Sequence, residues 1–257
     1  SIYYEGDTIT ITMENILSDV KIRRKPEFET VRYNTKLSFI PSERNLVSVI
    51  KNIDQSYRSA ESDVLFNYIF EWGEAKDSYT VEHPKRLSFT DNIEYINDGG
   101  NDLIRLIGED KMIPAYYASS GVQSAMPLDV MADYFTNLVG KNASVSKHDL
   151  ANTLARYLGK DKELTNEMLK SISNKMKYQS VQLFIEEPEQ NLYPDSQRNL
   201  TINLVCALKK AMPKGREDSM LVMTTHSPYI LSTLNVLIAE AYAMETMPKS
   251  DKLQNIV

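Results

Sequence analysis

Residues 183–194 read LFIEEPEQNLYP, an apolar run that ends in two adjacent carboxylates, Glu186 and Glu187, and then a proline. Leu183, Phe184 and Ile185 carry no polar alternation, which predicts a short strand of a parallel sheet covered on both faces. Ligands of open α/β sheets bind beyond the carboxyl ends of the strands, so both glutamates are expected at the lip of a crevice rather than in the core. Two ionised neighbours repel, and a hard divalent cation beside a phosphate chain is the usual means of holding such oxygens together. On that reading Glu186 serves magnesium through water, and Glu187 orients and deprotonates an attacking water. The plainer alternative is that both acids merely cap a strand at the surface.

A second apolar run, 220–225 (MLVMTT), breaks into His226, Ser227 and Pro228, placing another polar group at a strand's end. Between the two runs, Leu200, Leu204, Ala207, Leu208 and Ala211 recur at helical spacing over 196–212, with Lys214-Gly215 as a basic turn after them. Strand, helix and strand make a right-handed crossover unit, which sets the two strand ends side by side and lets His226 face the phosphate that Glu187 serves. Upstream, 112–117 reads as a strand running into ASSGVQS at 118–124, with a helix expected over 126–139. Ser119, Ser120, Gly121 and Gln123 would then form the approach to a helix amino terminus, where free N–H groups and the dipole attract anions.

In this order, SSGVQS, LFIEEPEQNLYP and TTHSPYIL resemble the carboxyl-terminal part of ABC-type ATPase heads, and most closely the soluble branch of SMC-like, RecF-like and OLD-family ATPases. The likeness covers residues 39 to about 237. It implies a P-loop NTPase-like α/β fold: a mixed sheet with flanking helices, an antiparallel β part and a helical lobe. By the same resemblance, Ser119, Ser120, Gly121 and Gln123 belong to a signature motif. Glu186 and Glu187 end the Walker B strand, Asn191 and Asp195 lie in the D-loop, and His226 is the switch histidine. ATP and Mg2+ are the implied cofactors, bound between two copies paired head to tail, with a nuclease or other effector, and DNA, as implied partners in repair or phage defence.

The match has departures. Ala118 replaces the usual leucine, the signature reads SSGVQ, and Glu186 stands where aspartate is common. No G-x-x-x-x-G-K-[ST] occurs, so the loop whose amides and lysine hold the β and γ phosphates is not in this sequence. Together with a start at Ser1 that enters β-like sequence at once, this leads us to expect a domain lacking its amino-terminal P-loop portion, which alone would be inactive as an ATPase.

At 36–45, KLSFIPSERN gives a strand broken by Pro41. By position Glu43 takes a metal-contacting role or Arg44 reaches a phosphate, unless Ser42 is simply a helix cap flanked by a surface acid and base.

With 257 residues, 42% hydrophobic and 25% charged, the chain suits one lobed domain. It divides into a β-rich part at 1–44, a helical insert at 45–80, a hairpin and signature segment at 81–124, a helical lobe at 125–178 and the Walker B to switch-histidine core at 179–257. No membrane span or secretion signal is read, and a cytoplasmic setting is expected. The single Cys206 reads as a small core residue.

A net charge of −6 argues against wholesale nucleic-acid coating, leaving KIRRK at 21–25 as either a local phosphate-tracking patch or a solvated strand edge. Apolar faces predict helices over 46–57 and 64–72, and over 128–177 through Leu150, Leu154, Tyr157 and Leu158; Asn97-Asp98-Gly99-Gly100 predicts a hairpin. Two other functions fit less of the sequence. A non-hydrolytic nucleotide-sensing scaffold for a partner nuclease would not need Glu187, and a nuclease acting directly through Glu186 and Glu187 would leave the signature-like turn unexplained.

Overall fold

The computed structural model describes residues 2–5, 9–14, 20–24, 34–51, 53, 63–140, 178–212 and 218–246. Lys25, Tyr57, the Lys214-Gly215 turn, Leu150, Leu154, Tyr157 and Leu158 with the rest of 141–177, and residues 247–257 lie outside them.

Three strands open the chain, β1 (Ile2–Glu5), β2 (Ile9–Met13) and β3 (Lys21–Arg24), paired antiparallel in that order. The basic segment thus lies on an edge strand, with Lys21 and Arg23 exposed.

Next come β4 (Thr35–Ile40), a 3-10 turn (Ser42–Asn45), α1 (Leu46–Val49) and α2 (Val64–Lys76). The helix expected over 46–57 is interrupted at Ile50, which turns to extended backbone, and Ile53 is helical again. The turn is preceded by Pro41 as its cap, not Ser42, whose hydroxyl donates instead to Glu43 at 3.1 Å.

A four-stranded antiparallel sheet follows: β5 (Lys85–Arg86), β6 (Ile93–Asp98), β7 (Asn101–Leu106) and β8 (Met112–Pro114). Gly99 and Gly100 make the β6–β7 turn with φ of +57° and +85°, the pair of positive dihedrals that a two-residue hairpin demands. The strand expected over 112–117 ends at Pro114 and gives way to a 3-10 turn (Ala115–Tyr117).

Helix α3 (Ser120–Leu138) begins six residues before the expected 126, with Pro127 in its interior. A proline there cannot donate to the carbonyl four residues back, that of Gln123. The Ser48 hydroxyl fills the vacancy, donating to Gln123 O at 2.8 Å.

The last elements are β9 (Ser180–Glu186), α4 (Pro194–Lys210), β10 (Met220–Thr224) and α5 (Pro228–Thr246). Strand β9 is the centre of a parallel sheet ordered β10-β9-β4, with Thr224 opposite Glu186 and Ile40 opposite Ile185. The crossover unit is therefore present as read, and it aligns three strand ends along one edge.

Helices α2, α3 and α4 lie against β4, β9 and β10 respectively, burying Ile40, Val181, Leu183 and Ile185. The opposite face corrects the expectation of a sheet covered on both sides. Among the described residues Leu37 (59% exposed), Met220 (40%) and Val222 (37%) stand on it without cover. Cys206 is also exposed on α4 rather than buried.

Helix α3 is buried almost all round because it is the hub between the two sheets and α4. Its Asp129 is fully buried, accepting from Ser88 N and from Asn203 Nδ2 at 3.1 Å, with Lys85 Nζ at 3.5 Å. Trp72, Tyr95 and Tyr79 pack in sequence, 5.6 and 6.4 Å between centroids, to seal α2 onto the antiparallel sheet.

Among the described residues this core encloses the ion pair of Lys36 and Glu71. Lys36 Nζ donates to Glu71 Oε1 at 2.7 Å and Ser38 Oγ to Glu71 Oε2 at 2.6 Å, with the ammonium 4.9 Å from the Phe135 ring centroid. Breaking such a pair strands a charge in low dielectric. We expect Glu71→Ala to lower unfolding free energy by about 3–5 kcal/mol, read from the denaturant midpoint, while joint replacement of Lys36 and Glu71 by apolar residues costs much less.

Candidate functional site

Arg44 organises the site. It is fully buried, and its guanidinium donates to four backbone carbonyls: Nε to Ser124 O at 2.8 Å, Nη1 to Pro41 O at 3.3 Å and Glu186 O at 2.7 Å, and Nη2 to Glu187 O at 2.7 Å. The Tyr68 hydroxyl closes the back by donating to Arg44 O at 2.7 Å. Burial lowers the guanidinium pKa from its ordinary value, an effect that Tyr68, Glu189, Glu187 and Glu186 oppose. A group with so high an intrinsic pKa remains a cation. The expectation that Arg44 extends to a phosphate is corrected: its donors are committed to holding β9, the turn after β4 and helix α3 at one point.

Above this pin the chain turns sharply. Glu187 adopts φ +43°, rare for a residue with a side chain, and its N–H still extends the sheet by donating to Thr224 O at 2.9 Å. The carbonyl of Glu187 also accepts from Gln190 N at 3.0 Å, closing a tight turn that contains Pro188. Glu186 and Glu187 thereby part company. The Glu186 carboxylate is held by the Ser42 N–H at 3.2 Å, while Glu187 is carried out of the strand register by its own backbone. Glu43, exposed beside Ser42, stands at the neighbouring strand end.

The signature-like segment does not lead up to a helix but starts one. Ser119 is the N-cap of α3, its Oγ accepting from Val122 N at 3.4 Å, and Ser120 and Gly121 form the first turn. Gln123 Nε2 donates to Tyr116 O at 2.8 Å, which turns that side chain back onto the preceding 3-10 turn. Gly121 is dictated by crowding, since a Cβ there would sit 2.8 Å from Asn191 O. Asn191, at φ +60°, reaches the same helix through Nδ2, 2.9 Å from Ser124 Oγ. Asp195 lies exposed in the first turn of α4, where a negative charge suits the helix dipole.

His226 completes the set. Its imidazole is exposed, and its backbone N–H donates to Glu189 Oε1 at 2.7 Å. The next residue, Ser227, is tied to Gln197 of α4, whose Nε2 donates to Leu192 O at 2.8 Å. Gly121 and Ser124 of α3 and the His226 amide are thus held against one turn, 187–193, which carries Glu187 and Asn191 and follows Glu186 directly. Sequence reasoning missed the groups that do the gathering: Arg44 as a pin, Glu189, Gln197 and the Ser42 N–H. Only Glu189 left a visible trace, as the third acid of EEPE.

The donor set fits a partly hydrated hard cation. Glu186, Glu43 and the Ser42 hydroxyl offer oxygens only, and magnesium bridging a phosphate needs just one or two protein carboxylates. Among the described residues no group of three or more His, Cys, Asp or Glu converges on a metal, so an all-protein cage is not what this edge provides.

An α/β core with acids, a histidine and a helix amino terminus collected at the ends of parallel strands defines a P-loop NTPase-like protein. A match to the AAA ATPase domain family spans residues 12–231, and the chain belongs to that family. No curated protein matches it. The family is one of ATPases, and no described helix is long and apolar enough to cross a membrane.

Two substitutions test the geometry. Arg44→Ala leaves four carbonyls without their donor and is expected to cost about 3–5 kcal/mol in chemical denaturation; Arg44→Lys recovers only part, one ammonium being unable to span all four. Gly121→Ala drives a methyl group into a backbone carbonyl, for about 1–3 kcal/mol, and Asn191→Ala should not relieve it.

Proposed function

We propose that this chain supplies the hydrolytic and sensing half of an ATP-binding, ATP-hydrolysing head, and that two copies pair head to tail around nucleotide to drive or license an effector acting on nucleic acid. The observation that carries this reading is the single turn 187–193, which begins at the candidate base and against which the helix amino terminus of α3 and the loop of His226 both pack. The likeness to SMC, RecF and OLD-type heads supports the pairing, and a role in DNA repair or phage defence.

In this reading Glu187, at φ +43° just beyond the end of β9, accepts a proton from water aligned with the terminal phosphate. Glu186, oriented by the Ser42 N–H, faces the metal with Glu43 beside it. Magnesium, when bound, neutralises charge on the β and γ phosphate oxygens. Ser119, Ser120 and Gly121, at the start of α3, present N–H and hydroxyl donors to the phosphate bound by the partner copy, Gln123 braces that start through Tyr116 O, and Asn191 and Asp195 run along the shared interface. His226 donates to a phosphate oxygen and loses that contact after hydrolysis. The β and γ phosphates still need a cradle of the G-x-x-x-x-G-K-[ST] kind, which these 257 residues do not contain.

Turnover is therefore to be measured in a protein that joins such a loop to these residues. Glu187→Gln is expected to lower kcat by about 10²–10⁴-fold, leave nucleotide binding in place and hold the protein as a nucleotide-dependent dimer in light scattering. Equal rates for the two proteins, or no turnover in either, support instead a nucleotide-sensing scaffold.

A further inference from the structure

Glu189 takes no part in the chemistry assigned above, yet its side chain ties the turn of Glu187 to the His226 amide itself, beside the bridge that Gln197 makes from Leu192 O to Ser227. Its Oε1 accepts from the His226 backbone N–H at 2.7 Å, the length of a charge-assisted bond. Its other oxygen, Oε2, is buried without a partner among the described residues, and so is Gln190 Oε1 next to it. Unmatched buried acceptors are uncommon in native folds, and a carboxylate is a costly means of holding one amide. What makes it tolerable is the Arg44 cation beneath the turn, whose charge interacts with Glu189 as well as with Glu186 and Glu187.

The loop after β10 is otherwise tied to itself and to α4. Ser227 N reaches Thr225 Oγ1 at 2.9 Å within the loop, and Ser227 Oγ binds Gln197 of α4, which also donates to Leu192 O. The His226 amide is thus fixed from the Glu187 side by Glu189, while the imidazole stays exposed and able to meet a ligand. Glu189 lies two positions after Glu187, and the turn they share is closed by the Gln190 N to Glu187 O bond.

We propose that Glu189 is a positioning residue that sets the distance between the Glu187 carboxylate and the His226 imidazole, making the water-polarising group and the phosphate sensor one unit. This rests on the hydrolytic reading above. It acts through the His226 backbone, so a glutamine, whose amide oxygen still accepts, preserves the link, and an alanine breaks it.

The direct measurement is hydrogen exchange at the His226 amide in the 257-residue protein without nucleotide. Glu189→Ala is expected to speed that exchange by at least about ten-fold, a loss of roughly one hydrogen bond, while amides of β9 and α4 keep their protection and Glu189→Gln keeps most of it at His226. In turnover, Glu189→Ala should lower kcat about 10–100-fold with KM for ATP nearly unchanged, and Glu189→Gln should stay within about three-fold. Placed in His226→Ala, Glu189→Ala should add almost nothing, as coupled residues do in a double-mutant cycle.

Unchanged exchange at His226 in Glu189→Ala overturns the proposal, as do additive losses in the cycle. Loss of protection throughout β9 and α4 also overturns it, by making Glu189 a folding residue. If instead Glu187→Gln turns over as fast as wild type, the hydrolytic reading fails, whatever Glu189 does to the His226 amide.

Discussion

Everything at the candidate site is referred to one buried cation. Pro41, Ser124, Glu186 and Glu187 come from three separate parts of the chain, and the Arg44 guanidinium is where their carbonyls meet. Backbone oxygens at strand ends and turns keep acceptor capacity that regular pairing does not fill, and leaving it unmet in the interior is expensive. A planar group with a fixed fork of donors answers several of them at once, which a lysine cannot do. The cation also sits under three glutamates, so the same residue that fixes the backbone offsets the repulsion of the acids above it.

The remaining geometry follows from strand order. Because β9 lies between β4 and β10 and all three run parallel, their ends and the loops that follow form a row: Ser42 and Glu43, then Glu186 and Glu187, then Thr225 and His226. Helix α3 crosses beneath and brings its amino terminus to the same row, where only a glycine at 121 lets the turn of Asn191 approach. The helix can continue through Pro127 because a neighbouring hydroxyl serves the carbonyl the proline leaves free. Polar satisfaction, more than apolar packing, decides how the loops lie.

That division explains what is legible in the sequence. Apolar runs and helical spacing reveal β9, β10 and α4 to within a few residues, and the double glycine reveals the β6–β7 hairpin, since these are local signals. The start of α3 is hidden because a proline within a pattern reads as a boundary, and only the tertiary contact from Ser48 makes it harmless. The run LFI looks covered on both sides, but periodicity cannot say which neighbours arrive, and one face stays open among the described residues. Cys206 misleads for a similar reason: residues on the flank of a helical stripe have no fixed fate. As for the site, the polar residues of 119–123 and 186–195 and His226 stand out by type and order, whereas Arg44, Glu189 and Gln197 act through carbonyls and amides that have no letter in a sequence.

The left-handed backbone at Glu187 has a consequence for how this protein can change. An L-residue with a long side chain is uncomfortable at φ +43°, by about 1–3 kcal/mol, and asparagine or glycine would sit there with less discomfort. With Glu187 as the proposed water-polarising group, sturdiness and chemistry pull in opposite directions at one position: a library selected purely for heat resistance should drift toward Glu187→Asn or Glu187→Gly and give up that carboxylate as it toughens.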